Sequence, residues 1–144
     1  MTKIRDVMTR NVEPARPEEP IQSVAQRMAR GDFGFMPVCE GKKVIGTITD
    51  RDLTIRALAG AMPPSTPVGE VMTREVTVAH QDDNLEDILD KMSDEQIRRL
   101  PIVDENRELI GVISIGDLSQ KVKERYAGEA LEDISKPSGT STFS

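Results

Sequence analysis

The 144-residue chain has no tryptophan, one tyrosine and three phenylalanines, so it offers little on which unpaired nucleic-acid bases could stack. Basic charge is also lacking: the formal net charge is −6, a field that repels polyanions. Nucleic acid is therefore not an expected partner. His80 is the only histidine and Cys39 the only cysteine. Zinc sites draw on clustered Cys and His, so no metal is expected. No nucleophile–base pair and no phosphate-cradling Gly-rich loop can be read, which argues against an enzyme. A single cysteine forms no disulfide within the chain; Cys39, in "FMPVCEG", is expected to pack as a small hydrophobe. No apolar run approaches the ~20 residues of a membrane span. The opening "MTKIRDVMTR" carries charges where a signal peptide is apolar. A cytoplasmic protein without a membrane partner is the expectation.

What the chain does have is a duplication. "DVMTRNV" (6–12) returns as "EVMTREV" (70–76), and "GTITDRDL" (46–53) as "GVISIGDL" (111–118). Thr9 and Pro37 recur 64 residues later as Thr73 and Pro101, whereas Gly46 recurs 65 later as Gly111. The extra residue falls in the turn "VDENRE", against "CEGKK" in the first copy. Two copies, rather than a long array, point to a pseudo-symmetric pair sharing one interface.

Each copy opens with a short extended segment, Val12 to Ala15 or Val76 to Ala79. An amphipathic helix follows: Ile21, Val24, Ala25 and Met28, and again Leu85, Ile88, Leu89 and Met92, recur at helical spacing. Asp83 with Glu86 is the expected capping pair of the second of these. Strands "FMPVC"/"LPIV" and "KVIGTIT"/"ELIGVIS" come next, then a helix starting near Asp50 or Ile115. The fold class is mixed α+β, two strand-helix-strand-strand-helix repeats packed through small sheets. The first repeat is assigned to 4–60, a Pro-rich linker to 61–67 and the second repeat to 68–123. The extension 124–144 is expected to be largely disordered, above all 135–144; residues 122–134 can prolong the last helix, with Gly128 a break.

The tandem "VMT…LPIV…LIGVIS..DL" pattern resembles a pair of cystathionine-β-synthase (CBS) domains, a Bateman module, over about residues 4–123. The resemblance implies two clefts between the repeats that take adenosine-containing ligands: AMP, ADP, ATP, NAD or S-adenosylmethionine. It implies no required cofactor, an adenine nucleotide as regulatory ligand, a homodimer, and an unidentified protein regulated in trans. It also makes the Thr/Ser-x-x-Asp pairs, Thr49 with Asp52 and Ser114 with Asp117, the ribose and phosphate clamps. The chemistry suits them: helix N-terminal N–H groups favour phosphate, and a carboxylate one turn on accepts from ribose hydroxyls. The same spacing also describes a helix cap with no ligand.

For the base, the resemblance implies Val12 with Met36, Pro37 and Val38, and Val76, Thr77 and Val78 with Leu100, Pro101 and Ile102. Proline would interrupt the ladder and free neighbouring backbone groups; plain core packing is the alternative for each. Arg51 precedes Asp52 where Gly116 precedes Asp117, and Arg98 and Arg99 stand where the first copy has Gly34 and Phe35. These arginines suit phosphate or solvent. Leu53, Ile55, Leu58, Leu118 and Val122 are apolar positions expected to need cover from a second copy. The alternative function is a dimerising interaction module with empty clefts.

Overall fold

Two sheets form, one per sequence copy, in a computed structural model that describes residues 3–132. In the first, β1 (Phe35–Glu40) and β2 (Lys43–Thr49) make an antiparallel hairpin. Its turn is closed by Gly41 at φ 63°, a left-handed conformation that glycine adopts freely. In the second, β3 (Ala79–His80) pairs parallel with β4 (Arg99–Val103), which pairs antiparallel with β5 (Leu109–Ser114). Ala15, the counterpart of Ala79, makes only an isolated parallel bridge to Val38.

The expected leading strand is therefore a stub in both copies, and the prolines explain why. In a parallel ladder, the next donor toward the N-terminus would be the N–H of Pro37 or Pro101, and proline has none. In the first copy, the carbonyl left over is that of Glu13, and it accepts from the Arg27 guanidinium at 2.9 Å. In the second, the corresponding Lys91 reaches the Val78 carbonyl at 3.0 Å, one residue further on.

The amphipathic helices are α1 (Ile21–Gly31) and α3 (Leu85–Glu95). Ile21, Val24 and Met28, and Leu85, Ile88 and Met92, are buried, as the stripe predicts; Ala25 is exposed and Leu89 only partly covered. The cap of α3 differs from the expected pair. Asn84, extended just before Leu85, accepts from the Asp87 N–H at 2.8 Å, while Asp83 accepts from His80 N–H at 2.9 Å. Helix α1 starts after Pro20, which has no capping side chain. Its first N–H groups are satisfied by the linker: Ile21 donates to Thr66 O at 2.8 Å and Gln22 to Pro64 O at 3.1 Å. The inter-repeat linker is thus docked on the helix it follows in space.

After β2, α2 (Asp50–Asp52) continues as a π-helical stretch, Leu53–Leu58. After β5, α4 runs from Ile115 to Glu132. It passes through Gly128 without the expected break; residues 133–144, including the tail expected to be disordered, lie outside the described part. Among the described residues, no helix is long and apolar enough to cross a membrane.

The copies exchange their N-terminal segments. Val68, Val71 and Met72 pack into the core of the first sheet with Val24, Met36 and Ile48. Ile4 and Met8 pack into the core of the second with Ile88, Leu100 and Ile113. Thr73 is hydrogen-bonded in both directions to Thr47, at 2.8 and 3.0 Å, and Thr9 likewise to Val112. A third cluster, Cys39, Val44, Val78 and Val103, joins the sheets. Cys39 is fully buried there, the small hydrophobe expected. Burial pushes its thiol pKa up, against a smaller opposing effect of Arg16.

Candidate functional site

The exchange gives the repeated glycine its reason. A Cβ on Gly46 would lie 2.8 Å from Thr73 O and 2.7 Å from Met72 Sδ; on Gly111, 2.8 Å from both Thr9 O and Met8 Sδ. Only glycine lets the other copy's "MT" lie flat on the strand. That segment then runs on beside the end of the same strand, where the Thr/Ser-x-x-Asp turn begins. Two clefts result, each with one wall from each copy.

The Ser114 cleft has a volume of about 660 Å³ and is lined by Thr9, Arg10, Asn11, Val12, Glu13, Arg27, Arg30, Phe33, Phe35, Arg99, Val112, Ser114 and Asp117. The Thr49 cleft, about 780 Å³, is lined by Thr49, Asp50, Arg51, Asp52, Gly34, Phe35 and Thr47 of the first copy, and by Thr73, Glu75, Val76, Thr77, Gln96, Ile97, Arg98, Arg99 and Pro101 of the second. Arg99 borders both.

Eleven of the residues singled out from sequence therefore line a cleft: Val12, Ser114, Asp117 and Arg99 in one, and Thr49, Arg51, Asp52, Val76, Thr77, Arg98 and Pro101, with Arg99 again, in the other. Six do not. Met36 and Val38, and Leu100 and Ile102, are buried in the two sheet cores, because alternate strand residues face inward. Val78 is buried in the cluster joining the sheets. Pro37 is buried and its carbonyl accepts from Ala15 N–H at 2.8 Å, so it frees no group for a base edge. Pairing also crosses the copies: Val12 faces Ser114 and Asp117, not the Thr49 turn of its own repeat. Sequence reading passed over Arg10, Arg27, Arg30 and Phe33, which packing between the two copies brings to the cleft; it also passed over Asn11, at φ 59°, which does carry a local signal, a turn residue that tolerates left-handed backbone.

Both turns are also helix caps. Thr49 Oγ1 accepts from Asp52 N–H at 3.0 Å and Asp52 Oδ2 from Thr49 N–H at 3.1 Å, a complete capping box. Asp52 Oδ1 also lies 3.9 Å from Arg56 Nε, and Arg56 Nη1 donates to Val71 O and Met72 O at 3.1 and 3.2 Å. In the other turn Ser114 Oγ accepts from Asp117 N–H at 3.0 Å. Asp117 is exposed, and among the described residues its carboxylate has no protein partner. Capping and ligand binding are thus compatible at Asp117 and compete at Asp52.

Arg27 is held by Glu19 at 2.8 Å and lies 3.8 Å from Glu13. Burial of Glu19 raises its pKa, but hydrogen bonds from Ser23 and Arg27, the Arg27 charge and the Arg16 backbone together leave it below the ordinary value. Among the described residues, no group of three or more His, Cys, Asp or Glu side chains could hold a metal.

Two α+β repeats that exchange N-terminal segments and enclose paired clefts define a tandem-repeat module with two inter-repeat clefts. The family model for the CBS domain matches residues 4–58 and again 68–124; the chain belongs to the CBS domain family, as a tandem pair. It is 39% identical over 136 residues to CBS domain-containing protein YhcV of Bacillus subtilis, covering 94% of this chain and 96% of that protein. The CBS domain pair of protein MJ0100, solved in complex with 5′-methylthioadenosine and S-adenosyl-L-methionine, superposes with a TM-score of 0.77 at 26% identity, over 87% of this chain and 98% of that one. Hypoxic Response Protein I, solved with two coordinated zinc ions, matches with a TM-score of 0.76 at 28% identity, over 84% and 99%.

Proposed function

We propose that the chain is a non-catalytic, cytoplasmic regulatory protein that binds an adenosine-containing ligand between its repeats and signals the bound state to a partner chain. The observation that carries this reading is the pairing of each Thr/Ser-x-x-Asp turn with the other copy's extended segment in a cleft of ligand size. An exposed carboxylate at Asp117 suits the ribose diol, and Val12, Val112, Phe33 and Phe35 offer apolar surface to a base. The likeness to a pair solved with adenosyl ligands supports the same class. Because each cleft has walls from both repeats, occupancy couples the repeats; a ligand that favours one arrangement shifts the population toward it. Calorimetric titration with AMP, ADP, ATP, NAD and S-adenosylmethionine tests the reading, together with mass spectrometry of small molecules released on denaturation. Saturable binding of at least one is expected; no binding by any of them overturns it.

A second reading, a dimerising interaction module, is favoured by one feature. Ile55 and Leu58 on the π-helical stretch are 58% and 76% exposed. That reading leaves the clefts empty, so the titrations above separate the two; dimerisation itself is common to both, and we include a homodimer in the proposal.

A further inference from the structure

We propose that the two clefts are sorted by ligand charge, with Asp50 as the residue that decides: a phosphorylated adenosine nucleotide enters the Ser114 cleft alone, and the Thr49 cleft takes an adenosine ligand without phosphate. The inference rests on the adenosyl-binding reading above and assigns each cleft its chemical class.

The two turns differ where a phosphate would approach. In the first copy the helix opens Asp50-Arg51; in the second it opens Ile115-Gly116. Asp50 Oδ1 accepts from the Arg51 N–H at 2.8 Å, so the chain's own carboxylate already occupies a donor at this helix start. Asp50 has room because Gly34 stands opposite: a Cβ there would lie 2.5 Å from Asp50 Oδ2. The second copy has Arg98 at that place and Ile115, not a carboxylate, at the first helical position. A phosphate entering the Thr49 cleft meets Asp50 and Glu75 at its wall, and like charges in a shared site repel.

The balance of the remaining charges points the same way. Asp52 is engaged by Thr49 N–H and Arg56. In the Ser114 cleft, Arg27 is taken by Glu19 and lies 3.8 Å from Glu13, leaving Arg10, Arg30 and Arg99 without an ion pair among the described residues, against Glu13 and Asp117; in the Thr49 cleft Arg51, Arg98 and Arg99 are matched by Asp50, Asp52 and Glu75. Guanidinium groups of this kind bind phosphate by charge-assisted hydrogen bonds. Phe33, 40% exposed, adds a ring for the base; it folds back over Gly31, where a Cβ would collide with the ring.

The test is calorimetry on the full chain with two probes, AMP and uncharged 5′-methylthioadenosine. AMP should bind once per chain. Asp117→Ala should weaken AMP about 10- to 150-fold, the loss of an ionised acceptor on ribose, while Asp52→Ala changes it less than about twofold. Arg30→Ala should weaken AMP while leaving 5′-methylthioadenosine unchanged. Binding of 5′-methylthioadenosine should be weakened by Asp52→Ala. Asp50→Asn, which keeps an acceptor for the Arg51 N–H and removes the charge, should create a second AMP site. Two equal AMP sites in the unmodified chain, or AMP binding lost with Asp52→Ala and kept with Asp117→Ala, overturn the sorting but leave the adenosyl-binding reading standing. An Asp50→Asn chain that still binds one AMP removes Asp50 from its role. If neither probe nor any other adenosine ligand binds the unmodified chain, the function itself is wrong.

Discussion

Gly46 and Gly111 look like strand residues of no consequence, yet each is the point where the other copy's backbone touches the sheet. Alanine at either should cost about 1–3 kcal/mol by overpacking, since the Met sulfur can yield but the threonine carbonyl cannot. Thermal melts of Gly46→Ala and Gly111→Ala should show this, and an unchanged melting temperature would remove the close approach as their reason. Glu19 makes a second prediction. Its pKa in the fold lies below the ordinary 4.5, so its ion pair with Arg27 contributes stability that is complete above the unfolded value. That contribution is lost as pH falls through the folded value. Glu19→Gln should therefore lower the melting temperature at neutral pH, and the gap to the unmodified chain should close as pH drops below about 4.5. A gap that stays constant through acid would mean the carboxylate charge is not what stabilises this corner.

Among the elements, the matching helices of the two copies are started by different devices. Helix α3 has its own cap in Asn84, whereas α1 takes carbonyls from the linker at Thr66 and Pro64. Asn84→Ala should cost about 0.5–2 kcal/mol, read from a denaturant melt; a loss no larger than that of an exposed substitution elsewhere on α3 would show that the cap is redundant. The linker residues, by contrast, should resist replacement by a flexible Gly-Ser segment, because they complete α1. The element after each "DL" phrase also diverges. Leu118 is fully buried in its own core and Leu53 packs partly against the first, so neither needs a second copy, contrary to the sequence expectation; the side chain of Val122 lies outside the described ones. Ile55 and Leu58 stay exposed because the π-helical stretch turns them away from the sheet that covers Ala57.

For the molecule as a whole, that exposed pair fixes where association is expected. Exposed large apolar side chains close together mark interaction surfaces more often than chance. Light scattering at micromolar concentration should give a dimer, and Leu58→Glu should shift it to monomer without lowering the ligand affinity of the Ser114 cleft. A monomeric unmodified chain would count against the dimer and leave the clefts unaffected. A dimer that survives Leu58→Glu would place the contact elsewhere.

The duplication, the amphipathic helices and the two Thr/Ser-x-x-Asp turns, Thr49 to Asp52 and Ser114 to Asp117, were legible in the sequence, because they rest on local periodicity and on a phrase written twice. Repetition also announced that the turn would occur twice. It did not show that Ile4 and Met8 belong to the second core, nor that Val12 faces Asp117 across the copies, since a segment exchange leaves every local pattern unchanged. Met36, Leu100, Pro37 and Val78 could not be separated from cleft residues by type, because an apolar residue on a strand reads the same whether it faces a core or a ligand. Asp50 and Gly34 stand sixteen residues apart, and only the hairpin that folds β1 onto β2 brings that carboxylate to the glycine. The chain alone thus determined what kinds of groups the clefts contain; the tertiary structure decided which of them share a cleft, because that depends on long-range packing between the two copies.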